Sequence, residues 1–67
     1  MRLARALGIN VRRYRKERGL SQEALADEVR LAVTHVGQIE RGLRNPTLEV
    51  VERFAAVLRV KPLDLLQ

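Results

Sequence analysis

The sequence predicts an all-α domain of five short helices, and three observations point there. Apolar residues recur at spacings of three and four and nowhere in strict alternation, the pattern of helical faces rather than half-buried strands. Gly19, Gly42, Pro46 and Pro62 punctuate the chain into short segments, each long enough for two or more helical turns except the loop 43–45 and the last. Ser21 and Thr47 stand directly ahead of apolar periods, where a hydroxyl accepts from the free N–H groups of a first turn.

Taken in order, Leu3, Leu7, Val11 and Tyr14 mark the inner stripe of a first helix that Gly19 closes. Gly8 interrupts that stripe at a cost of about 1 kcal/mol against Ala, so the helix is expected to extend from there or from the start of the chain. Ser21 caps a second helix burying Leu25, Ala26 and Val29, and Arg30-Leu31 forms a tight connection. A third helix spans about Ala32 to Arg41, with Val36 and Ile39 inward and Gly42 as its stop. A polar loop from Leu43 to Pro46 leads to a fourth helix capped by Thr47, whose inner face reads Leu48, Val51, Ala55 and Leu58. Pro62 begins a last turn, at the one helical position where its missing N–H costs nothing. No repeat, linker or low-complexity stretch appears, so residues 1–67 read as one domain.

Sixty-seven residues lie near the lower limit for independent folding, and a chain of this size buries only about 60% of the surface its unfolded form exposes. Without cysteine it has neither disulfide nor thiolate zinc to staple it. Dense helix packing or a partner subunit must supply the rest. The formal charge is +5, with thirteen Lys and Arg against eight Asp and Glu. All of these bases except Lys16 and Lys61 are Arg, whose planar fork suits phosphate and guanine edges. Arg2, Arg5, Arg12, Arg13, Arg15, Lys16 and Arg18 crowd the first helix against a single Glu17, whereas Glu23, Asp27 and Glu28 reverse the sign along the second. A solvated face accounts for such a run as well as a nucleic-acid partner does.

The segment Gln22 to Arg41 has the form of a helix-turn-helix: two helices of eight to ten residues about a short turn. Ala26 is the small residue that lets the pair approach, and Leu31, Val36 and Ile39 line the seam. Periodicity alone also fits other small helical bundles. The residues are more specific. The strings Arg15-Lys16-Glu17-Arg18-Gly19-Leu20-Ser21-Gln22-Glu23-Ala24-Leu25-Ala26 and Ile39-Glu40-Arg41-Gly42-Leu43-Arg44-Asn45-Pro46-Thr47-Leu48 resemble the Cro/CI-type, or Xre, helix-turn-helix family. The stretch Thr34-His35-Val36-Gly37-Gln38-Ile39-Glu40-Arg41-Gly42 resembles the controller proteins of restriction–modification systems.

That resemblance, which runs from about Leu7 to Leu66, implies a compact lambda-repressor-like DNA-binding domain whose third helix enters the major groove of double-stranded DNA. It places base-reading residues at Val33, Thr34, His35 and Gln38, and phosphate-binding residues at Gln22, Arg41, Arg44 and Asn45. Gln suits adenine and the Val and Thr methyls suit a thymine methyl. An ordinary exposed role for Gln38, partial core burial for Val33 and plain loop polarity for Arg41, Arg44 and Asn45 are the duller readings. The resemblance also pairs Arg15 with Glu40 as a structural ion pair, and implies a transcriptional regulator acting on an operator. Three departures stand out: Ala32 lacks a capping hydroxyl, Arg59 replaces a C-terminal Gly, and Val33 replaces the more usual Arg or Gln.

Apolar residues in excess of the inner stripes, namely Val50, Phe54, Val57, Leu63, Leu65 and Leu66, suggest a homodimer built on the fifth helix and outer fourth helix. Such a dimer binds a palindromic site with half-sites about 34 Å apart. One His, no Cys, no Gly-rich phosphate loop and no metal-ligand cluster argue against an enzyme, a metal site or a cofactor. No apolar run reaches the roughly 18 residues of a membrane span, and the basic start lacks the continuous apolar stretch of a secretory signal. A transit peptide or a helix lying on an anionic membrane would share the basic, amphipathic opening, but not its continuity with the rest of the chain. A cytoplasmic location is the expectation. The rival readings are a protein-interaction module, such as an antitoxin or partner subunit, and sequence-neutral nucleic-acid binding.

Overall fold

The computed structural model describes residues 2–67, in which five helices follow in order: α1 (Arg2–Glu17), α2 (Gln22–Val29), α3 (Val33–Glu40), α4 (Leu48–Leu58) and α5 (Pro62–Leu66). No strand occurs among these residues. Ser21 and Thr47 cap as expected: their hydroxyls accept from Ala24 N–H at 3.0 Å and Val50 N–H at 3.2 Å. Ala32 caps α3 without a side-chain bond. The start of α5 is closed by Asp64, whose carboxylate accepts from Lys61 N–H at 2.9 Å.

The first four helices all end the same way. A residue in the left-handed conformation (Gly19, Arg30, Gly42, Arg59) is followed by an apolar one. The apolar residue's N–H reaches five residues back, from Leu20 to Arg15, Leu31 to Ala26, Leu43 to Gln38 and Val60 to Ala55, at 2.9–3.0 Å. This is the Schellman closure, which satisfies carbonyls that the helix itself leaves open. Arg59 holds φ 59°, as its place in a glycine slot implied, and Arg30 matches it at 61°. Each non-glycine residue there carries about 1–2 kcal/mol of strain.

The core centres on Leu7, Val11, Leu25, Val29, Val36, Ile39, Phe54 and Leu65, none more than 2% exposed. α1 is one continuous helix through Gly8, and its inner face reads Ala4, Leu7, Gly8 and Val11, with Leu3 56% exposed instead of inward. Gly8 is there for contact. A Cβ at this position would stand 2.3 Å from the Ile39 carbonyl oxygen and 2.7 Å from that of Glu40, so only glycine lets α1 lie this close to the end of α3.

α4 is where sequence and structure part. Val50, Phe54 and Leu65, assigned to a dimer face, are 8%, 0% and 0% exposed within the single chain. Leu48, assigned to the inner stripe, is 80% exposed. The reason is that α4 packs against α1, α2 and α5 together. One narrow stripe cannot cover three neighbours, so the buried arc takes in Val50, Val51, Phe54, Ala55 and Leu58, while Leu48 sits beyond its edge. α5 in turn is tied down by an unanticipated residue: Asn10, itself buried, donates from Nδ2 to the carbonyls of Leu65 at 2.9 Å and Gln67 at 3.0 Å.

Gly8→Ala is expected to destabilise the domain by about 2 kcal/mol, the scale of forced overpacking. The melting temperature should fall by roughly 8–16 °C for a domain of this size. A thermal melt that rises instead, as a permissive Gly-to-Ala change in a helix gives, would refute the close contact.

Candidate nucleic-acid interface

The interface begins with a carboxylate in an unfavourable place. Glu40 is the last residue of α3, where the helix dipole already presents negative charge. Arg15 of α1 compensates by a two-pronged grip, Nε to Oε2 at 2.6 Å and Nη2 to Oε1 at 3.1 Å. Its Nη1 donates to the Leu20 carbonyl at 2.9 Å, tying in the turn before α2. Gln22, the first residue of α2, adds Nε2 to Glu40 Oε1 at 3.0 Å. The ion-pair side chains are 10% and 3% exposed, so this polar cluster is buried where α1, α2 and α3 meet. The expected Arg15–Glu40 pair is present; the participation of Gln22 was not foreseen. Gln22 carries an amide on the α2 face beside Gly37, where even a Cβ would only touch it, at 3.8 Å. One of its two donor N–H groups is thereby committed to Glu40, leaving the other for an outside acceptor.

With α3 so anchored, Val36, Gly37, Ile39 and Glu40 face inward. Thr34, Gln38 and Arg41 follow at spacings of four and three, so they share the opposite face. Thr34 and Arg41 are exposed and Gln38 is half-buried. Val33 is 39% exposed at the first helical position. His35 is half-buried, on the flank between this face and the core. Arg44 and Asn45 are exposed in the loop that follows. Asn45 also lines an apolar recess, whereas Arg44 turns back to α3 and donates from Nε to Gln38 Oε1 at 2.6 Å. The structure thus brings Thr34, Gln38, Arg41 and Arg44 to one surface. It adds Arg5: a Cβ on Gly42 would lie 3.2 Å from the Arg5 Cα, so this exposed cation flanks the end of α3. In sequence Arg5 was one basic residue among many and carried no distinguishing signal.

Much of the basic excess proves structural. Arg15 serves Glu40, Arg18 donates to the Val57 carbonyl, and Arg53 donates to the Val29 carbonyl at 2.8 Å. Arg13 lies 3.7 Å from Glu17 and stacks over Tyr14, 4.4 Å from the ring centre. Among the described residues no group of His, Cys, Asp and Glu is arranged to hold a metal, and no helix is long and apolar enough to cross a membrane.

A pair of short helices about a tight turn, with the outer face of the second set beside exposed arginines, defines a helix-turn-helix protein. The helix-turn-helix family model matches residues 11–65, and the chain belongs to that family, in its Cro/CI (Xre) type. It is 43% identical over 60 residues to the control protein C.BamHI of Bacillus amyloliquefaciens, a match covering 88% of this chain and 74% of that protein. It is 38% identical over 55 residues to the transcriptional regulator SinR of Bacillus subtilis, covering 81% of this chain and half of SinR. Among solved structures, the restriction–modification controller protein C.AhdI from Aeromonas hydrophila superposes with a TM-score of 0.87 at 37% identity, covering 92% and 94% of the two chains. SinR in complex with DNA superposes with a TM-score of 0.86 at 37% identity, covering 91% and 98%. These relatives are transcriptional regulators and controllers, not enzymes.

Removing Glu40 should strand a buried guanidinium. Glu40→Ala is expected to cost about 3–5 kcal/mol, the usual penalty for breaking a buried pair from one side. Urea denaturation measures it, and an unchanged midpoint would show that the cluster does not hold α3.

Proposed function

We propose that this chain is a transcriptional regulator that reads a specific duplex site with α3 in the major groove, as a homodimer on a palindromic operator. The observation that carries this is the face made by Thr34, Gln38 and Arg41. It is open to solvent, set beside Arg44 and Arg5, and backed by a buried ion-pair cluster that fixes its direction. Val33, Thr34, His35 and Gln38 are assigned to base edges. Gln22, Arg41, Arg44 and Asn45 are assigned to the phosphate backbone, with Arg5 added. The likeness to C.BamHI and C.AhdI supports genes of a restriction–modification system as the target.

Support for the dimer comes from surface that the single chain leaves uncovered. Leu48, Leu63 and Leu3 are 80%, 68% and 56% exposed, and Leu66 is half-buried. Leu3, Leu48 and Leu66 line, with Ala4, Leu7 and Pro46, an apolar recess of about 280 Å³. Leu63 stands one turn before Leu66 on α5. An apolar patch of this kind usually marks an interface. The proposed dimer face is therefore Leu48, Leu63 and Leu66, in place of the buried Val50, Phe54 and Leu65, whereas Val57, half-buried and nine residues after Leu48, lies on the other side of α4.

Two measurements follow. In salt titrations on selected and scrambled duplexes, log affinity should fall by about 0.9 decade per phosphate neutralised for each decade of salt. Gln38→Ala should lose about 1–3 kcal/mol on the selected duplex alone; equal affinity of the wild-type chain for both duplexes would reject specific reading. In sedimentation, the wild-type chain should be dimeric at micromolar concentration and the Leu48→Glu, Leu63→Glu double variant monomeric with an unchanged fold. A wild-type chain that stays monomeric with and without DNA would remove the dimer.

A further inference from the structure

The contact between Arg44 and Gln38 has a consequence for which base is read, given the reading above of α3 as the groove helix. A free glutamine carboxamide offers one acceptor and two donors, and pairs with adenine by accepting from N6 and donating to N7. In this structure that oxygen already carries a bond, which uses one of its two lone pairs. Arg44 Nε donates to Gln38 Oε1 at 2.6 Å, a short, charge-assisted bond. The backbone reinforces it: Leu43 N–H donates to the Gln38 carbonyl at 2.9 Å through the turn that Gly42 makes at φ 74°. Main chain and side chain of the loop therefore both close onto Gln38. No other hydrogen-bond partner of the Gln38 amide or of the Arg44 guanidinium is present among the described residues.

We propose that Arg44 is a specificity-determining positioning residue: by holding the Gln38 oxygen with a cationic donor, it leaves the Gln38 NH₂ group as the stronger recognition group and so favours guanine over adenine. The two N–H bonds match the two adjacent acceptors of a guanine major-groove edge, N7 and O6. Adenine offers one acceptor and one donor there, and its donor would have to share the glutamine oxygen with a cationic N–H that repels it. The guanidinium charge also polarises the amide, making its N–H groups better donors. The Nη groups of Arg44 remain free for a neighbouring phosphate, so the residue grips the backbone and sets the base preference at once.

The test is a double-mutant cycle on the full chain at one fixed salt concentration: wild type, Arg44→Ala, Gln38→Ala and both together. Sites are first selected from a random duplex pool, and then each protein is titrated on four duplexes differing only at the base pair whose preference Gln38→Ala abolishes. The wild-type chain is expected to prefer guanine there. Arg44→Ala should weaken binding generally and in addition move the guanine-to-adenine ratio about tenfold towards adenine, the scale of one good base contact. In the Gln38→Ala background the same change should weaken binding without moving the ratio. Circular-dichroism melts check that the variants fold, which their surface positions lead one to expect. A uniform loss on all four duplexes would overturn the proposal, leaving Arg44 as a backbone contact only. An equal shift in both backgrounds would overturn it differently, showing that Arg44 meets the base without Gln38. A wild-type chain that selects no duplex at all would remove the groove reading itself.

Discussion

The structure depends on how one carboxylate is neutralised. Glu40 ends α3, at the negative end of the helix dipole and almost out of contact with water. An isolated charge there is untenable, since neither solvent nor the helix stabilises it. Arg15 and Gln22 together bond both of its oxygens. Because one donor comes from α1 and the other from α2, the geometry that satisfies the charge also sets α3 against both. Gly8 works seven residues before Arg15 on the same face of α1, letting the last carbonyls of α3 approach the α1 backbone. A bare backbone position and a bidentate cation thus hold the same helix end, one by shape and one by charge. The outward direction of Thr34, Gln38 and Arg41 follows from that double constraint.

The helix ends show a similar economy. Four successive closures use one motif, and glycine occupies the left-handed position in only two of them. At Gly42 glycine relieves two strains at once, the positive φ and a Cβ that would stand 3.2 Å from the Arg5 Cα, closer than ordinary contact. Arg30 and Arg59 are both exposed. At these positions arginine tolerates the strain because the backbone bonds of the closure and the packing of the next residue, the half-buried Leu31 or Val60, against the core hold it there. Leu43 is the exception, 67% exposed after its turn, in the loop that carries Arg44 towards α3.

The charge distribution cautions against reading partners from composition. An excess of five positive charges suggests a polyanion. Yet Arg15, Arg18 and Arg53 are spent on a carboxylate and on main-chain carbonyls of neighbouring elements. Arginine suits this because its rigid fork satisfies two or three acceptors at once while its stem covers apolar surface. What remains around the open face of α3 is a smaller group, Arg5, Arg41 and Arg44. In the proposed DNA complex, their position rather than the total would carry the binding.

The sequence by itself determined the number, order and approximate limits of the helices. Those features are local: hydroxyl caps at Ser21 and Thr47, left-handed stops at Gly19 and Gly42, and a proline at the first position of α5. It also determined the inward residues of α2 and α3, because short helices with two neighbours bury a single stripe. The candidate site was legible in its residues and in the Arg15–Glu40 pair through the motif they form, whereas the bonds that Gln22 and Arg44 make were not. Those bonds join residues 18 and 6 apart through side-chain directions that spacing does not encode. Only the tertiary structure decided which apolar residues of α4 and α5 stay outside. Phe54 and Leu65 went into the core and Leu48 out of it because α4 must cover three helices at once, and the width of a buried arc is a property of its neighbours. The same holds for Gly8 and Asn10: nothing near them in sequence announces that a helix end must pass within a Cβ radius, or that two distant carbonyls need a donor.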